Sequence, residues 1–268
     1  MIAFPNAKIN LGLYIVSKRP DGFHNLETIF YPLPIRDILE VTPSEETGII
    51  LSGQTIPGDA QDNLVLKAYH LLKKNHPDIT PLEINLYKAI PSGAGLGGGS
   101  SDAAEILKLI NRFFNLHLST EQLKTYALEL GSDCPFFLQS APCFARGRGE
   151  ILVPLLLDLS RYSFILIHPE IRIETAWAFS RIKPASSKFD LKENILQPVQ
   201  NWIHLIHNDF EGPVFEAYPL LHSIKKRLYS SGAIYAAMTG SGSTIFGIFD
   251  KSGLPVMKFE NMRQTIIR

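Results

Sequence analysis

Three features of the sequence predict an α+β fold. Strand-like segments crowd the first sixty residues, helical periodicities begin at Leu64, and the last third alternates helix with strand. Strands that come early and pair locally do not suit a doubly wound parallel sheet, in which strand and helix alternate from the start.

Taken in order, Asn10–Val16, Asn25–Tyr31, Asp37–Val41 and Gly48–Leu51 read as strands punctuated by proline and glycine. Leu64–Lys74 reads as a helix, and Leu82–Ile90 alternates apolar with polar residues like a half-buried strand. Ala103, Ile106, Leu107, Ile110, Phe113 and Phe114 form one apolar stripe, which predicts a helix over Asp102–Phe114. Ser100 or Ser101 is its expected N-cap, with Asp102 and Glu105 in the first turn. Ser119-Thr-Glu-Gln122 is a capping-box pattern that opens a helix over Thr120–Leu130. Cys143–Val153 reads as a hairpin turning at Arg146-Gly-Arg-Gly149, and Tyr162–His168 as an apolar strand. The polar, proline-bearing stretch Lys183–Lys192 is expected to be a surface loop. Helices near Val199–Ile206 and Pro219–Ser230, and strands at Ala233–Met238 and Thr244–Phe249, complete the pattern; there is no internal repeat and no low-complexity tract.

Bulk properties narrow the function classes. A chain of 268 residues is ample for a sizeable core. Lysine plus arginine equals aspartate plus glutamate, 26 against 26, so no global basic field recruits nucleic acid or an anionic membrane. The longest apolar stretches, such as Ile151–Leu157 with its Pro154, are too short to span a bilayer. The N-terminus shows no signal-peptide pattern, so a cytoplasmic protein, monomeric or homodimeric, is expected. Cys134 and Cys143 make no disulfide framework and read as small buried residues in a reducing compartment. The eight histidines show no metal-ligand spacing, so nothing supports a metalloenzyme.

The most informative segment is Pro91-Ser92-Gly93-Ala94-Gly95-Leu96-Gly97-Gly98-Gly99-Ser100-Ser101, between the strand at Leu82–Ile90 and the helix at Asp102. Glycines let the backbone approach a ligand closely, and the start of the helix presents free N–H groups and the positive end of its dipole. That combination suits a phosphate. It is not a Walker A loop, because no lysine follows the glycines. Gly93-x-Gly95-x-x-Gly98 matches the dinucleotide fingerprint, but the acid-ended second strand of a Rossmann unit is missing; the interval holds the remaining helix and another helix start. The His-Arg-Asp and Asp-Phe-Gly elements of protein kinases are missing too.

Pro91–Ser101 resembles the second motif of the GHMP small-molecule kinases. Phe4-Pro-Asn-Ala-Lys-Ile-Asn-Leu-Gly-Leu13 is similar to their first motif and Met238-Thr-Gly-Ser-Gly-Ser-Thr-Ile-Phe246 to their third, in an order and spacing that cover nearly the whole chain. The family resemblance implies two α/β domains, divided here near residue 150, with the active site in the cleft between them. It also implies ATP as phosphoryl donor, Mg2+ accompanying it, and a small-molecule acceptor. Asp133, in Gly131-Ser-Asp-Cys-Pro135, would take the hydroxyl proton, and Lys8 would sit beside it. Pro91 to Ser101 would hold the triphosphate, with Asn63 and Lys88 near ATP. No Mg2+ ligand is assigned, although Ser100, Ser101 or Glu105 could approach the ion.

Three further elements, Arg19-Pro-Asp-Gly-Phe-His-Asn-Leu-Glu-Thr28, Asp62-Asn-Leu64 and Gly131–Phe137, resemble the branch whose substrate is a cytidine diphosphate-linked methylerythritol. In that branch two rings sandwich the cytosine while a histidine reads its polar edge. Phe23, where the branch commonly has tyrosine, and His24 fit the first ring and the histidine; Phe179 is the expected second ring, with Trp177 as competitor. Asn10 and Thr175 are candidate polar contacts, and Gly240-Ser241-Gly242 a second backbone cradle facing the substrate. The alternatives are a mevalonate- or homoserine-type kinase, a diphosphomevalonate decarboxylase-like lyase, a non-catalytic relative and a nicotinamide-dependent oxidoreductase.

Overall fold

The fold was obtained as a computed structural model that describes residues 1–185 and 190–268. Two compact units emerge, and both are discontinuous in sequence. The first comprises Met1–Lys8, Pro32–Ser92 and Gly97–Ser140; the second comprises Ile9–Tyr31, Gly93–Leu96 and Ala141–Arg268. In chain order the first stretch runs β1 (Ile2–Ala3), β2 (Asn6–Lys18), β3 (His24–Arg36), β4 (Ile38–Pro43) and β5 (Gly48–Gly53). It continues with α1 (Leu64–Asn75), β6 (Leu82–Lys88), α2 (Gly98–Phe113), α3 (Thr120–Leu130) and α4 (Cys134–Phe137). Then follow β7 (Cys143–Gly147), β8 (Ile151–Pro154), β9 (Tyr162–His168), α5 (Thr175–Ser180), α6 (Leu191–Asn194), α7 (Trp202–Leu205), α8 (Glu211–Ala217), α9 (Pro219–Ser230), β10 (Tyr235–Met238), β11 (Ile245–Asp250) and β12 (Arg263–Ile267). The α+β class expected from the strand and helix patterns is what the chain adopts.

The first unit is built on a sheet of order β1-β4-β6-β5, antiparallel except for the β5–β6 pair. Leu82, Ile84 and Leu86 alternate along β6 and pair with Pro43, Val41 and Leu39, so one face of the sheet is apolar. Val65, Ala68, Tyr69 and Leu72 of α1 and Ala103, Ile106, Leu107 and Ile110 of α2 join the same core, the three- and four-residue spacing of each helix supplying one buried stripe. The capping box at Ser119 and Gln122 forms as the sequence predicts and starts α3 at Thr120.

The second unit contains an antiparallel sheet of order β10-β11-β9-β12. Against it pack Leu221, Ile224 and Leu228 of α9. A further sheet has the order β2-β3-β7-β8, with Arg146 opposite Ile151 at the predicted hairpin.

Several boundaries differ from the sequence reading. The strand expected at Asn10–Val16 extends over Asn6–Lys18, because the neighbouring strand β3 is equally long. The strand expected to run to Ile90 ends at Lys88, where Asp37 Oδ1 accepts the N–H groups of Ala89 and Ile90. Part of the expected loop Lys183–Lys192 lies outside the described residues, and Leu191 already begins α6. The short strands β1 and β12 and helix α8 carry too little periodicity to be read from sequence.

Candidate active site

In the first unit the glycine-rich segment ends in α2, and the cap is not a serine. Gly97, with φ of 71°, is the N-cap, no side chain closes the helix start, and Ser100 and Ser101 lie inside the first turns. A left-handed glycine turns the chain into the helix without a capping side chain, which leaves backbone N–H groups at the helix start uncapped by any side chain. A Cβ at Gly97 would lie 2.8 Å from Phe137 and 3.1 Å from Lys8 Cε. Ser101 is buried and its Oγ has no hydrogen-bond partner.

Lys8 and Asp133 are brought together by this unit. Lys8 projects from β2, Asp133 is the N-cap residue of α4, and Nζ stands 3.4 Å from Oδ2. Lys8 is 4% exposed and Asp133 35%, so the carboxylate remains open on one side while the ammonium fixes it from the other. Cys134, next in sequence, is no nucleophile: burial pushes its thiol up to about 12, and Ser100 bonds to it.

The same unit holds a cavity of about 190 Å3, lined in part by Asn63, Lys88, Ser92, Gly99 and Asp102. Asn63 Oδ1 accepts from the Val65 N–H and caps α1. Lys88 is buried, its ammonium shared between Asp37 Oδ2 and Asp102 Oδ2, the latter at 2.6 Å. Asp102, expected as an acid in the first turn of the helix, is a buried ion-pair residue. Asp62 and Leu64 belong to an element the sequence already singled out, whereas sequence reading missed Asp37 and the wall residues Ile56, Pro57 and Asp59. No motif marks them, because a cavity wall needs only shape.

In the second unit, Phe23 is half exposed, and the guanidinium of Arg148 lies 4.6 Å from its ring centroid. The preceding turn is fixed by Asp21, which accepts the Phe23 N–H and pairs with Arg19. His24 lies face to face with Phe179, centroids 4.8 Å apart and 17° between planes, and the edge of Phe179 meets Phe210. Burial, with Lys18 nearby, holds His24 below its ordinary pKa, so its ring is neutral near pH 7 and offers one donor and one acceptor. Trp177 packs on the core, edge-on to Tyr218.

Thr175 and Ser241 approach through their hydroxyls at 3.2 Å. The Asn10 N–H donates to Thr239 Oγ1, and Asn10 Nδ2 donates to Thr28. Thr239 Oγ1 in turn donates to the Gly95 carbonyl. A Cβ at Gly95, whose φ is +78°, would lie 2.2 Å from the Thr239 carbonyl, so only glycine permits this approach of two backbones. Asn208 Nδ2 donates to the carbonyls of Met238 and Gly240 and holds the second glycine turn in place. Arg148, Thr239 and Asn208 are the residues of this unit that sequence reading did not single out.

With this geometry in hand, relatives can be compared. The family signature for the GHMP kinases N terminal domain matches residues 63–140, and that for the GHMP kinases C terminal domain matches residues 190–256. A 4-diphosphocytidyl-2-C-methyl-D-erythritol kinase of Bacteroides fragilis is 52% identical over 265 residues, covering 97% of this chain and 96% of the relative. The chain belongs to the GHMP kinase family. As a GHMP kinase it is an ATP-dependent small-molecule kinase of two-domain α+β architecture. A Bacteroides thetaiotaomicron kinase of the same description is 51% identical, with 94% of this chain and 93% of the relative covered. Among solved structures, a 4-(cytidine 5′-diphospho)-2C-methyl-D-erythritol kinase is 32% identical with a TM-score of 0.78, covering 92% of this chain and 90% of that one. A Methanococcus jannaschii mevalonate kinase shares the fold at a TM-score of 0.72 and 15% identity, covering 100% of this chain and 98% of that one. Among the described residues no helix is long and apolar enough to cross a membrane.

Proposed function

We propose that this GHMP kinase transfers the γ-phosphoryl group of ATP to the 2-hydroxyl of 4-(cytidine 5′-diphospho)-2-C-methyl-D-erythritol, a step of the non-mevalonate route to isoprenoids. The observation that carries the reading is 52% identity over nearly the whole of both chains to a relative described as that kinase. The stacked rings of His24 and Phe179 and the half-exposed ring of Phe23 support a substrate with a base to stack; an acyclic acid or amino acid has none.

In this reading Asp133 accepts the proton of the attacking hydroxyl, and the Lys8 ammonium, 3.4 Å from its Oδ2, orients the carboxylate and offsets charge beside the transferred group. The uncapped start of α2 and the orphaned Ser101 hydroxyl fit an anionic, phosphate-bearing ligand. Pro91 to Ser101 would hold the phosphates, and Asn63 and Lys88 line the adjoining cavity. Mg2+ would neutralise charge on the ATP phosphates; Ser100, Ser101 or Glu105 would approach it, with no ligand assigned among them. Phe23 and Phe179 grip the base, His24 reads its polar edge, and Asn10, Thr175, Gly240 and Ser241 contact the rest of the substrate. The domain division near residue 150 remains part of this proposal; the two family signatures on either side of it support it, while Ile9–Tyr31 and Gly93–Leu96 belong to the second compact unit.

The test is ADP release with the cytidine diphosphate compound against mevalonate, homoserine and galactose. A preference for any of the last three overturns the substrate assignment. Phe23→Ala is expected to raise KM for the cytidine compound about 5- to 150-fold, the cost of losing one stacking ring, with little change in kcat. Phe23→Tyr keeps the ring face and is expected to be near neutral.

A further inference from the structure

The stretch Asn208-Asp209-Phe210-Glu211 leads from α7 into α8 and touches three parts of the second unit. On one side it is tied to β2. The Asp209 N–H donates to the Leu13 carbonyl at 2.9 Å, and the Ile15 N–H donates to Asp209 Oδ2 at 2.7 Å. On the other side it holds β10, an edge strand whose outward backbone groups have no neighbouring strand. Glu211 Oε1 accepts the Met238 N–H at 2.8 Å, and Asn208 Nδ2 donates to the carbonyls of Met238 at 2.9 Å and Gly240 at 2.8 Å. Between them Phe210 meets Phe179 edge-on, with centroids 4.9 Å apart, and Phe179 in turn stacks on His24.

Asn208 is 3% exposed, Phe210 1% and Glu211 9%, so water does not replace these bonds when they break. The remaining polar atoms are committed as well. Asn208 Oδ1 accepts the Phe210 N–H at 3.0 Å, which fixes the amide with its donors toward the turn. Lys225 Nζ donates to Glu211 Oε2 at 2.6 Å and leaves Oε1 for Met238. The turn itself, Gly240-Ser241-Gly242, has two glycines and one short side chain, so its shape has to be imposed from outside.

We propose that Asn208, Phe210 and Glu211 are positioning residues for the phosphoryl acceptor: Asn208 and Glu211 set the glycine turn against which the acceptor lies, and Phe210 sets the tilt of the ring that grips its base. The inference rests on the acceptor site proposed above and adds to it the element that shapes it. Asn208 and Glu211 act through the backbone of Met238 and Gly240, and Phe210 acts through Phe179. The link from the turn to the Gly95 carbonyl is made by the Thr239 hydroxyl, a bond in which neither Asn208 nor Glu211 takes part. Loosening the stretch therefore weakens the grip on the acceptor and leaves nucleotide affinity in place.

The test compares KM and kcat for the cytidine diphosphate compound, the Kd of magnesium adenylyl imidodiphosphate and the melting temperature. Glu211→Leu and Asn208→Ala each strip the turn of buried hydrogen bonds. Both are expected to raise KM for the cytidine compound about tenfold, with kcat and nucleotide affinity within about twofold of wild type. Glu211→Gln keeps an oxygen for the Met238 N–H but loses the charge that pairs with Lys225. It is expected to lower the melting temperature and yet keep the wild-type KM, a separation that a purely structural role does not produce. Phe210→Leu stays apolar and is expected to raise KM about threefold, the cost of one lost ring contact. The proposal is overturned by an unchanged KM in folded Glu211→Leu and Asn208→Ala, by nucleotide affinity falling in step with acceptor affinity, or by a Glu211→Gln KM as poor as that of Glu211→Leu. If Glu211→Leu and Asn208→Ala fail to fold, Phe210→Leu decides, and an unchanged KM there overturns the proposal. A wild type that prefers mevalonate, homoserine or galactose sinks the substrate assignment separately. The same KM ratios, read on the preferred acceptor, then decide the role of Asn208 and Glu211, and the role of Phe210 falls with the base.

Discussion

Two of the lysine–carboxylate groups in the first unit are similar in composition and opposite in character. Lys8 and Asp133 stand 3.4 Å apart, with Asp133 35% exposed. Lys88 is clamped between Asp37 and Asp102, and nothing in that group is more than 3% exposed. An open, loosely held carboxylate can reach a substrate proton; a closed one can only hold the protein's own parts in place. The difference teaches that identical residue types divide into chemistry and positioning by solvent access rather than by charge.

The comparison can be broken most sharply at Asp133. Asp133→Asn keeps the shape but cannot take a proton, and kcat is expected to fall by ~10²–10⁴-fold with nucleotide affinity retained. Combining it with Lys8→Ala should cost far less than the product of the single effects, because the two act as one unit. Retention of a tenth of wild-type kcat in Asp133→Asn would show that the open pair is not the base.

The lysines should differ in stability as clearly as the carboxylates differ in chemistry. Lys88→Met leaves two buried carboxylates without a cation, a change that typically costs ~3–5 kcal/mol. Lys8→Met leaves a partly solvated carboxylate and is expected to cost no more than about 1 kcal/mol. Denaturant titrations of both variants check this, and equal losses would erase the distinction.

Two adjacent glycines sharpen it further, since each touches one of the groups. At Gly97 an added Cβ lies 2.8 Å from Phe137 and 3.1 Å from Lys8, on backbone with φ of +71°. At Gly98 it meets Ile90 at 3.0 Å and Lys88 at 3.3 Å, on ordinary helical backbone. Gly97→Ala is therefore expected to destabilise by ~1–3 kcal/mol from backbone strain alone. Gly98→Ala should cost less, because the helix regains ~0.5–1 kcal/mol of backbone entropy against the tight contacts. Melting curves that rank the two the other way would contradict this placement.

A further difference concerns pH. Asp102 titrates at about 7 in the folded chain against 3.8 for the free side chain. A raised carboxyl contributes stability that is full below the unfolded pKa and is lost as pH rises through the folded one. Between pH 4 and 8 the melting temperature of wild type minus that of Asp102→Asn should therefore decline. A flat difference would mean that Asp102 does not exchange a proton in this range.

Much of this was legible beforehand because it is local. The capping box at Ser119, the stripe on α2 and the alternation of β6 are fixed by neighbours within a few positions; the box formed in place, while α2 begins at Gly98 rather than Asp102 and β6 ends at Lys88 rather than Ile90. The glycine segment was legible because so many glycines between a strand and a helix have few other uses. Its cap was misread: serines normally cap helices, but a left-handed Gly97 does the turning and leaves the helix start open. Asp37 and Arg148 were not legible, since an acid at a bend and an arginine in a hairpin carry no pattern.

The sequence by itself determined the α+β class, most helices and strands, the glycine segment and the identity of the residues with chemical potential. Only the tertiary structure decided which lysine meets which carboxylate and which of those pairs water can reach. It also decided that His24 lies on Phe179 while Arg148 covers Phe23. The physical reason is range: backbone propensity and periodicity act over a few residues, whereas burial and ion pairing depend on segments far apart in the chain that packing alone brings together.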